Sequence, residues 1–140
     1  MADVNGAGRV GFRICPDNPF NDLEDENPQE TFEYLLAEAE KLDLAYLHVI
    51  RFPKGRVDNV ELAQKYFSDR LIVNESYDFE EAQAAVADGT VSAVSFGRHF
   101  IGNPDLVERW RANSELAAFD LATMYTPGAE GYTSYPRADA

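Results

Sequence analysis

Residues 71–81, Leu71-Ile72-Val73-Asn74-Glu75-Ser76-Tyr77-Asp78-Phe79-Glu80-Glu81, run through an alanine-rich stretch to Asp88-Gly89 and then into Val91-Ser92-Ala93-Val94-Ser95-Phe96. Leu71 to Asn74 is a short apolar run closed by turn-forming residues, which predicts a strand. Asp78 and Glu81 stand at the cap and third helical positions of a capping box, so a helix opens there. Its alanine-rich body ends near Asp88, and Gly89 supplies the left-handed residue that closes it. Val91 to Phe96 is the next strand. The stretch is one strand, one helix and one strand, joined by short loops.

The same grammar extends in both directions. Upstream, Asp58-Asn59-Val60-Glu61 repeats the cap-to-acid spacing and predicts a helix to about Phe67. Ala45 to Ile50, between Asp43 and Pro53, reads as a strand buried on both faces. Before it, Asn27 caps a helix with Pro28 at its first position, and Phe32, Leu35, Leu36, Ala39 and Leu42 form its apolar stripe. Arg9 to Cys15 is a strand broken by Pro16-Asp17-Asn18-Pro19. Downstream, Asn103-Pro104 repeats the Asn-Pro helix start, with Leu106, Val107 and Trp110 as the stripe. Strand and helix alternate four times, the signature of a parallel sheet covered by helices. A closed (βα)8 barrel takes about 250 residues, so four units predict α/β architecture, half of a TIM-type barrel. The expected organisation is a lead-in over 1–8, four βα units over 9–112, and a C-terminal tail over 113–140 packing on the barrel. No internal repeat or low-complexity segment stands out.

Composition narrows the function classes. The 140 residues are 45% hydrophobic, enough to bury a core, and 25 acidic against 12 basic residues leave a formal charge of −13. That charge repels phosphate backbones and anionic lipid surfaces, so neither nucleic acid nor membrane is an expected partner. No apolar run reaches the length of a membrane span, and the opening residues have no secretory pattern. Cys15 is the single cysteine, which excludes an intrachain disulfide, and with two histidines offers no zinc spacing. A reducing, cytoplasmic location and no metal are expected.

Working groups of parallel α/β folds sit at the carboxyl ends of the strands. Here those positions hold Arg13, Arg51, Glu75 with Ser76, and Gly97 with Arg98. Glycine lets backbone N–H groups approach an oxyanion, and arginine offers a planar fork matched to phosphate. The plainer alternative is that Gly97 only turns the chain and Arg98 pairs with a carboxylate such as Asp105. An arginine inside an apolar strand, as at Arg13, calls for an anion, either a ligand or an ion-pair partner within the barrel. His48 reads as a barrel-lining or packed histidine. The run Leu23-Glu24-Asp25-Glu26 reads as a solvated loop, because adjacent carboxylates do not converge on a metal.

Ser95-Phe96-Gly97-Arg98-His99-Phe100-Ile101-Gly102-Asn103-Pro104-Asp105-Leu106 resembles the phosphate-loop signature of the old yellow enzyme family, flavin-dependent alkene reductases. Thr123-Met124-Tyr125 with Gly131-Tyr132-Thr133-Ser134-Tyr135-Pro136 is similar to that family's C-terminal tail. Val10-Gly11-Phe12-Arg13-Ile14-Cys15-Pro16, with Phe20-Asn21-Asp22, is similar to its fifth barrel strand and loop. The resemblance covers nearly the whole chain. It implies a barrel holding FMN, reduced by NAD(P)H and reducing an electron-poor C=C bond such as that of an enone. By the same resemblance Arg13 faces the pyrimidine edge of the flavin, Ser76, Gly97 and Arg98 belong to the phosphate site, and Tyr125 lies near the active-site mouth.

The departures also carry expectations. The family generally has a glycine at the turn after the seventh strand, where this chain has Asn74-Glu75-Ser76-Tyr77. A carboxylate there opposes a phosphate, although Ser76 can donate to one. The family's substrate-anion pair, tyrosine proton donor and flavin-tuning residue belong to its first four units, so no catalytic residue is assigned here. Neither His48 nor His99 matches a catalytic position. An open half barrel exposes strand edges and an apolar face, which predicts a homo-oligomer or a complementary half barrel as partner. An inactive remnant, a half-barrel subunit and a piece of a longer protein all remain open.

Overall fold

The computed structural model describes residues 2–138, which divide into two compact units, one ending at Ser95 and the other beginning at Phe96. In the first, four strands form one sheet: β1 (Gly11–Ile14), β2 (Tyr46–Ile50), β3 (Leu71–Asn74) and β4 (Ala93–Ser95). The order is β1-β2-β3-β4 and every neighbouring pair is parallel. Helices α2 (Pro28–Glu40), α3 (Asn59–Phe67) and α4 (Phe79–Ala87) make the crossovers, and a short α1 (Ala2–Asn5) precedes them. The architecture is α/β, half of a (βα)8 barrel.

Period-two alternation decides which face is packed. Leu47, Val49, Leu71 and Val73 are fully buried, with Leu36, Leu62, Ala63 and Phe67 of the helices against them. Each such leucine contributes about 2–5 kcal/mol by the cost of its truncation to alanine. The alternate positions of the strands behave differently. Tyr46 is exposed and His48 and Ile50 are half-buried, so β2 is not buried on both faces as its apolar run suggested. The reason is that α2, α3 and α4 supply apolar partners to one face.

Caps follow the acid patterns with two corrections. Asp78 accepts from Glu81 N at 2.8 Å while Asp78 N donates to Glu81 Oε2 at 3.2 Å, a complete capping box on α4. Asp58 accepts from Val60 N and Glu61 N, but Glu61 returns no bond, so α3 has an ordinary N-cap. Asn27 precedes α2 without accepting a backbone N–H; its amide donates to Glu30 Oε2 at 2.6 Å instead. Leu42 lies past the end of α2 and is exposed, and Leu35 is also exposed, so the stripe narrows to buried Leu36 and Ala39 with half-buried Phe32 packed against the core. Gly89 takes φ +79° after α4, as its place in the sequence required.

The second unit holds α5 (Arg98–Gly102) and α6 (Leu106–Arg111). The helix start expected at Asn103-Pro104 is displaced: Asp105 is the N-cap and α6 begins at Leu106. Asn103 is instead a fully buried bracket. Its Nδ2 donates to His99 O at 3.0 Å and Ala117 O at 3.1 Å, and its Oδ1 accepts from Ala117 N at 2.7 Å. An asparagine occupied on both amide ends by distant backbone cannot cap the next helix. Helix α5, where the sequence suggested a loop, is five residues long. His99 lies among Phe96, Trp110 and Phe119, with centroids 5.5–6.5 Å from its own, a packed histidine.

Candidate functional site

Arg13, His48, Asn74 and Ser95 come from four consecutive strands and share the sheet face opposite the helices. Arg13 pairs in register with His48, and Asn74 pairs with Ser95. The guanidinium crosses β2 to reach β3, where Nη2 donates to Asn74 Oδ1 at 2.9 Å. On the way Nη1 lies 3.2 Å from Nδ1 and 3.1 Å from Nε2 of His48. A point equally near both ring nitrogens cannot lie in the ring plane without entering the carbon between them. The arginine therefore rests on the face of the imidazole.

The partners of Arg13 are neutral. Among the described residues no carboxylate lies within ion-pair distance of it, which answers the ion-pair alternative raised by the sequence. His48 Nε2 lies 3.0 Å from Ser95 Oγ, and burial first, then the Arg13 charge, holds its pKa below the ordinary value. Asn74 Nδ2 donates to Ser95 O at 2.7 Å, which turns Oδ1 toward the arginine. The sequence singled out Arg13 and gave Asn74 and Ser95 no role in this cluster. Their signal was there, since each is the polar last residue of a short apolar strand.

The turn after β3 has an unusual backbone. Glu75 has φ +72° and Ser76 φ +58°, two successive left-handed residues where glycine is the low-strain choice. Ser76 is exposed and Glu75 half-buried. Arg51, at the end of β2, is engaged nearby: its Nη2 donates to Glu81 Oε2 at 2.9 Å and its guanidinium lies 3.6 Å above the Tyr77 ring. It braces the loop following β2 against the start of α4, and it holds the Glu81 carboxyl below its usual range.

A cavity of about 630 Å³ opens where the loop after β1 meets the loop after β2, lined by Cys15, Asp17, Glu24, Phe32, Phe52 and Lys54 among others. Arg56 closes one side, donating through Nε to Asp17 Oδ1 at 2.9 Å and through Nη2 to Asp25 O at 2.8 Å. This contact keeps the Asp17 carboxyl below its ordinary pKa. Among the described residues no three His, Cys, Asp or Glu side chains gather as a metal set.

In the second unit Gly97 is the N-cap of α5, with φ −100° and ψ −72°, and Arg98 is the first helical residue. Gly97 therefore needs no glycine-only backbone. What it offers is room: a Cβ built there meets nothing within 4 Å. Asp105, the carboxylate considered for Arg98, is taken by Arg109 Nε at 2.9 Å and Ala138 N at 2.7 Å. These bonds, the backbone one first, hold its pKa down at about 2. Tyr125 is exposed on the tail.

No family model matches the chain. Curated relatives do. A "Probable flavin mononucleotide-dependent alkene reductase" of Leishmania infantum is 40% identical over 134 residues, which is 94% of this chain and 36% of that protein. A 12-oxophytodienoate reductase-like protein of Solanum lycopersicum is 33% identical over 138 residues, 97% of this chain and 38% of that one. Among solved structures, the old yellow enzyme from Trypanosoma cruzi superposes with a TM-score of 0.89 at 40% identity, covering 98% of this chain and 37% of the other. The old yellow enzyme homologue from Zymomonas mobilis gives 0.83 at 33% identity, covering 96% and 40%. The chain spans little more than a third of the length of the relatives it matches.

Proposed function

We propose, on the premise that this chain is homologous to one stretch of the old yellow enzymes, that it supplies FMN-holding residues of a parallel barrel, and that alkene reduction requires the remainder of that barrel. The observation that carries the reading is Arg13: a cation on the inner sheet face, seated on neutral groups, with no carboxylate at ion-pair distance among the described residues. Such a group suits the electron-rich edge of a flavin, where a fixed positive charge stabilises the reduced state. Bound FMN supplies hydride transfer from NAD(P)H to an activated alkene such as an enone.

The remaining residues take the roles that the kinship suggests. Ser76, exposed on the turn after β3, donates to phosphate. Gly97, with open space where a Cβ would stand, admits a phosphate close to the backbone, and Arg98 contributes a charged fork. Tyr125 serves the mouth of the active site. The left-handed Glu75-Ser76 turn keeps a backbone suited to glycine while carrying a carboxylate, and this one feature favours the second reading, a non-catalytic remnant. The sheet order leaves β1 and β4 terminal, each with one edge unpaired in the sheet, so the partner is a second copy or a complementary half barrel. Among the described residues no helix is long and apolar enough to cross a membrane, and a reducing cytoplasm suits the single cysteine.

Titrating FMN while following its fluorescence tests the proposal. The chain by itself is expected to quench FMN weakly or not at all, and to bind it, with enone turnover, when the first part of a related reductase is co-expressed. Tight stoichiometric quenching or turnover by the chain alone overturns the need for the remainder. No FMN binding even with the remainder present overturns the flavin role.

A further inference from the structure

We propose that Ser95, Asn74 and His48 are positioning residues that form a neutral seat for Arg13, holding it flat on the inner face of the sheet with its charge uncompensated. The inference rests on the flavin reading of Arg13 for its purpose, but the seat itself stands on side-chain geometry.

Ser95 organises the seat through two different atoms. Its carbonyl receives Asn74 Nδ2 at 2.7 Å, which prevents the amide from flipping and leaves Oδ1 for Arg13 Nη2 at 2.9 Å. Its hydroxyl lies 3.4 Å from Val73 O, a direction in which it can only donate, and 3.0 Å from His48 Nε2. With the hydroxyl proton on that carbonyl, the oxygen accepts from the imidazole and the proton of His48 sits on Nε2, the tautomer that the seat requires. The ring edge is thereby pinned to β4, and its face is turned toward Arg13 Nη1 at 3.1–3.2 Å.

Neutrality follows from the same contacts. A guanidinium over an imidazole face is favourable when the ring is uncharged and repulsive when it is protonated. Burial and the arginine both oppose protonation of His48. An aspartate at position 74 would pair with Arg13 and cancel its charge, and would also bring a carboxylate oxygen against Ser95 O; asparagine donates to that carbonyl and holds the arginine without cancelling it. The seat spans β1, β2, β3 and β4, so an arginine with several freely rotating bonds is placed by three other strands. Preorganisation of this kind lets a charge act on a ligand without paying for reorientation.

The test is NMR on the whole chain without cofactor, followed by addition of millimolar FMN. In the native chain the His48 ring carries its proton on Nε2, and the Nη groups of Arg13 give resolved, slowly rotating signals at low temperature. Asn74→Ala is expected to collapse those signals; Ser95→Ala, which keeps the carbonyl that orients Asn74, is expected to free the His48 ring and change its tautomer signature, and Ser95→Thr to restore it. With the first part of a related reductase co-expressed, FMN affinity is expected to fall about tenfold or more for Asn74→Asp and for Arg13→Met. If Asn74→Ala leaves the Arg13 rotation unchanged, or Ser95→Ala leaves the His48 ring unchanged, the seat is refuted. If FMN shifts the Arg98 signals but never those of Arg13 or His48, the seat stands and the flavin reading of Arg13 is the part that fails. Equal FMN affinity of the co-expressed barrels carrying the native chain and Asn74→Asp refutes the claim that the charge must be uncompensated.

Discussion

Asn103 is the position at which a single atom-level change has the most legible consequence. Its side chain is fully buried and makes three bonds, to His99 O at 3.0 Å, Ala117 O at 3.1 Å and Ala117 N at 2.7 Å. Asn103→Ala removes all three and leaves the Ala117 backbone without its side-chain partner. At about 1 kcal/mol net per bond the loss is ~3 kcal/mol, which lowers the unfolding midpoint by roughly 10 °C in a chain of this size. The assay is built in, because Trp110 is the single tryptophan and lies edge-on to Phe96 at 4.7 Å in the same unit. Its fluorescence during urea or thermal unfolding reports this unit directly. Asn103→Asp should cost more at neutral pH, since a buried carboxylate would face two carbonyl oxygens, and should recover as acid protonates it. A midpoint for Asn103→Ala within about 0.5 kcal/mol of the native chain would falsify the bracket as a source of stability, the usual scatter of an inconsequential substitution.

The other expectations concern binding, acid and assembly. With the rest of the barrel supplied, Arg98→Ala should weaken FMN by roughly 1.5–3 kcal/mol, the value of a hydrogen bond to a charged group, and Glu75→Gly should strengthen it; an unchanged affinity in Arg98→Ala removes that residue from the phosphate site. Asp105 has a folded pKa of about 2 against an ordinary 3.8, so its stabilisation is complete above 3.8 and disappears as pH falls through 2. Trp110 fluorescence should show the second unit weakening over that window, and Asp105→Asn should flatten the dependence; identical acid profiles would contradict it. Sedimentation at micromolar concentration should find a dimer or larger species, and a clean monomer would argue against self-association through the unpaired strand edges.

The local rules were readable because each depends on neighbours in the chain. Asp78 with Glu81 forms its box across one helical turn, and Gly89 takes its positive φ because the helix ends just before it. The four parallel strands followed from alternation of apolar runs with helical stripes, and the family resemblance from three ordered motifs. Where the reading went astray, a distant partner intervened. Asn103 looks like a cap and is claimed by Ala117, Asp58 opens half a capping box because Glu61 sends nothing back, and β2 looks doubly buried although only one of its faces has helices against it.

The sequence by itself determined the element order, the parallel α/β class and the presence of a charged Arg13 within an apolar strand, because periodicity, caps and an ionised group in an apolar run are properties of short segments. Only the tertiary structure decided what Arg13 rests on. Register places His48 beside it and Asn74 level with Ser95, and those alignments depend on the pairing of β1 with β2 and β3 with β4, between segments separated by 35 and 21 positions. No local pattern encodes a contact of that kind, since a strand residue is given its cross-strand neighbour by the fold that sets the register.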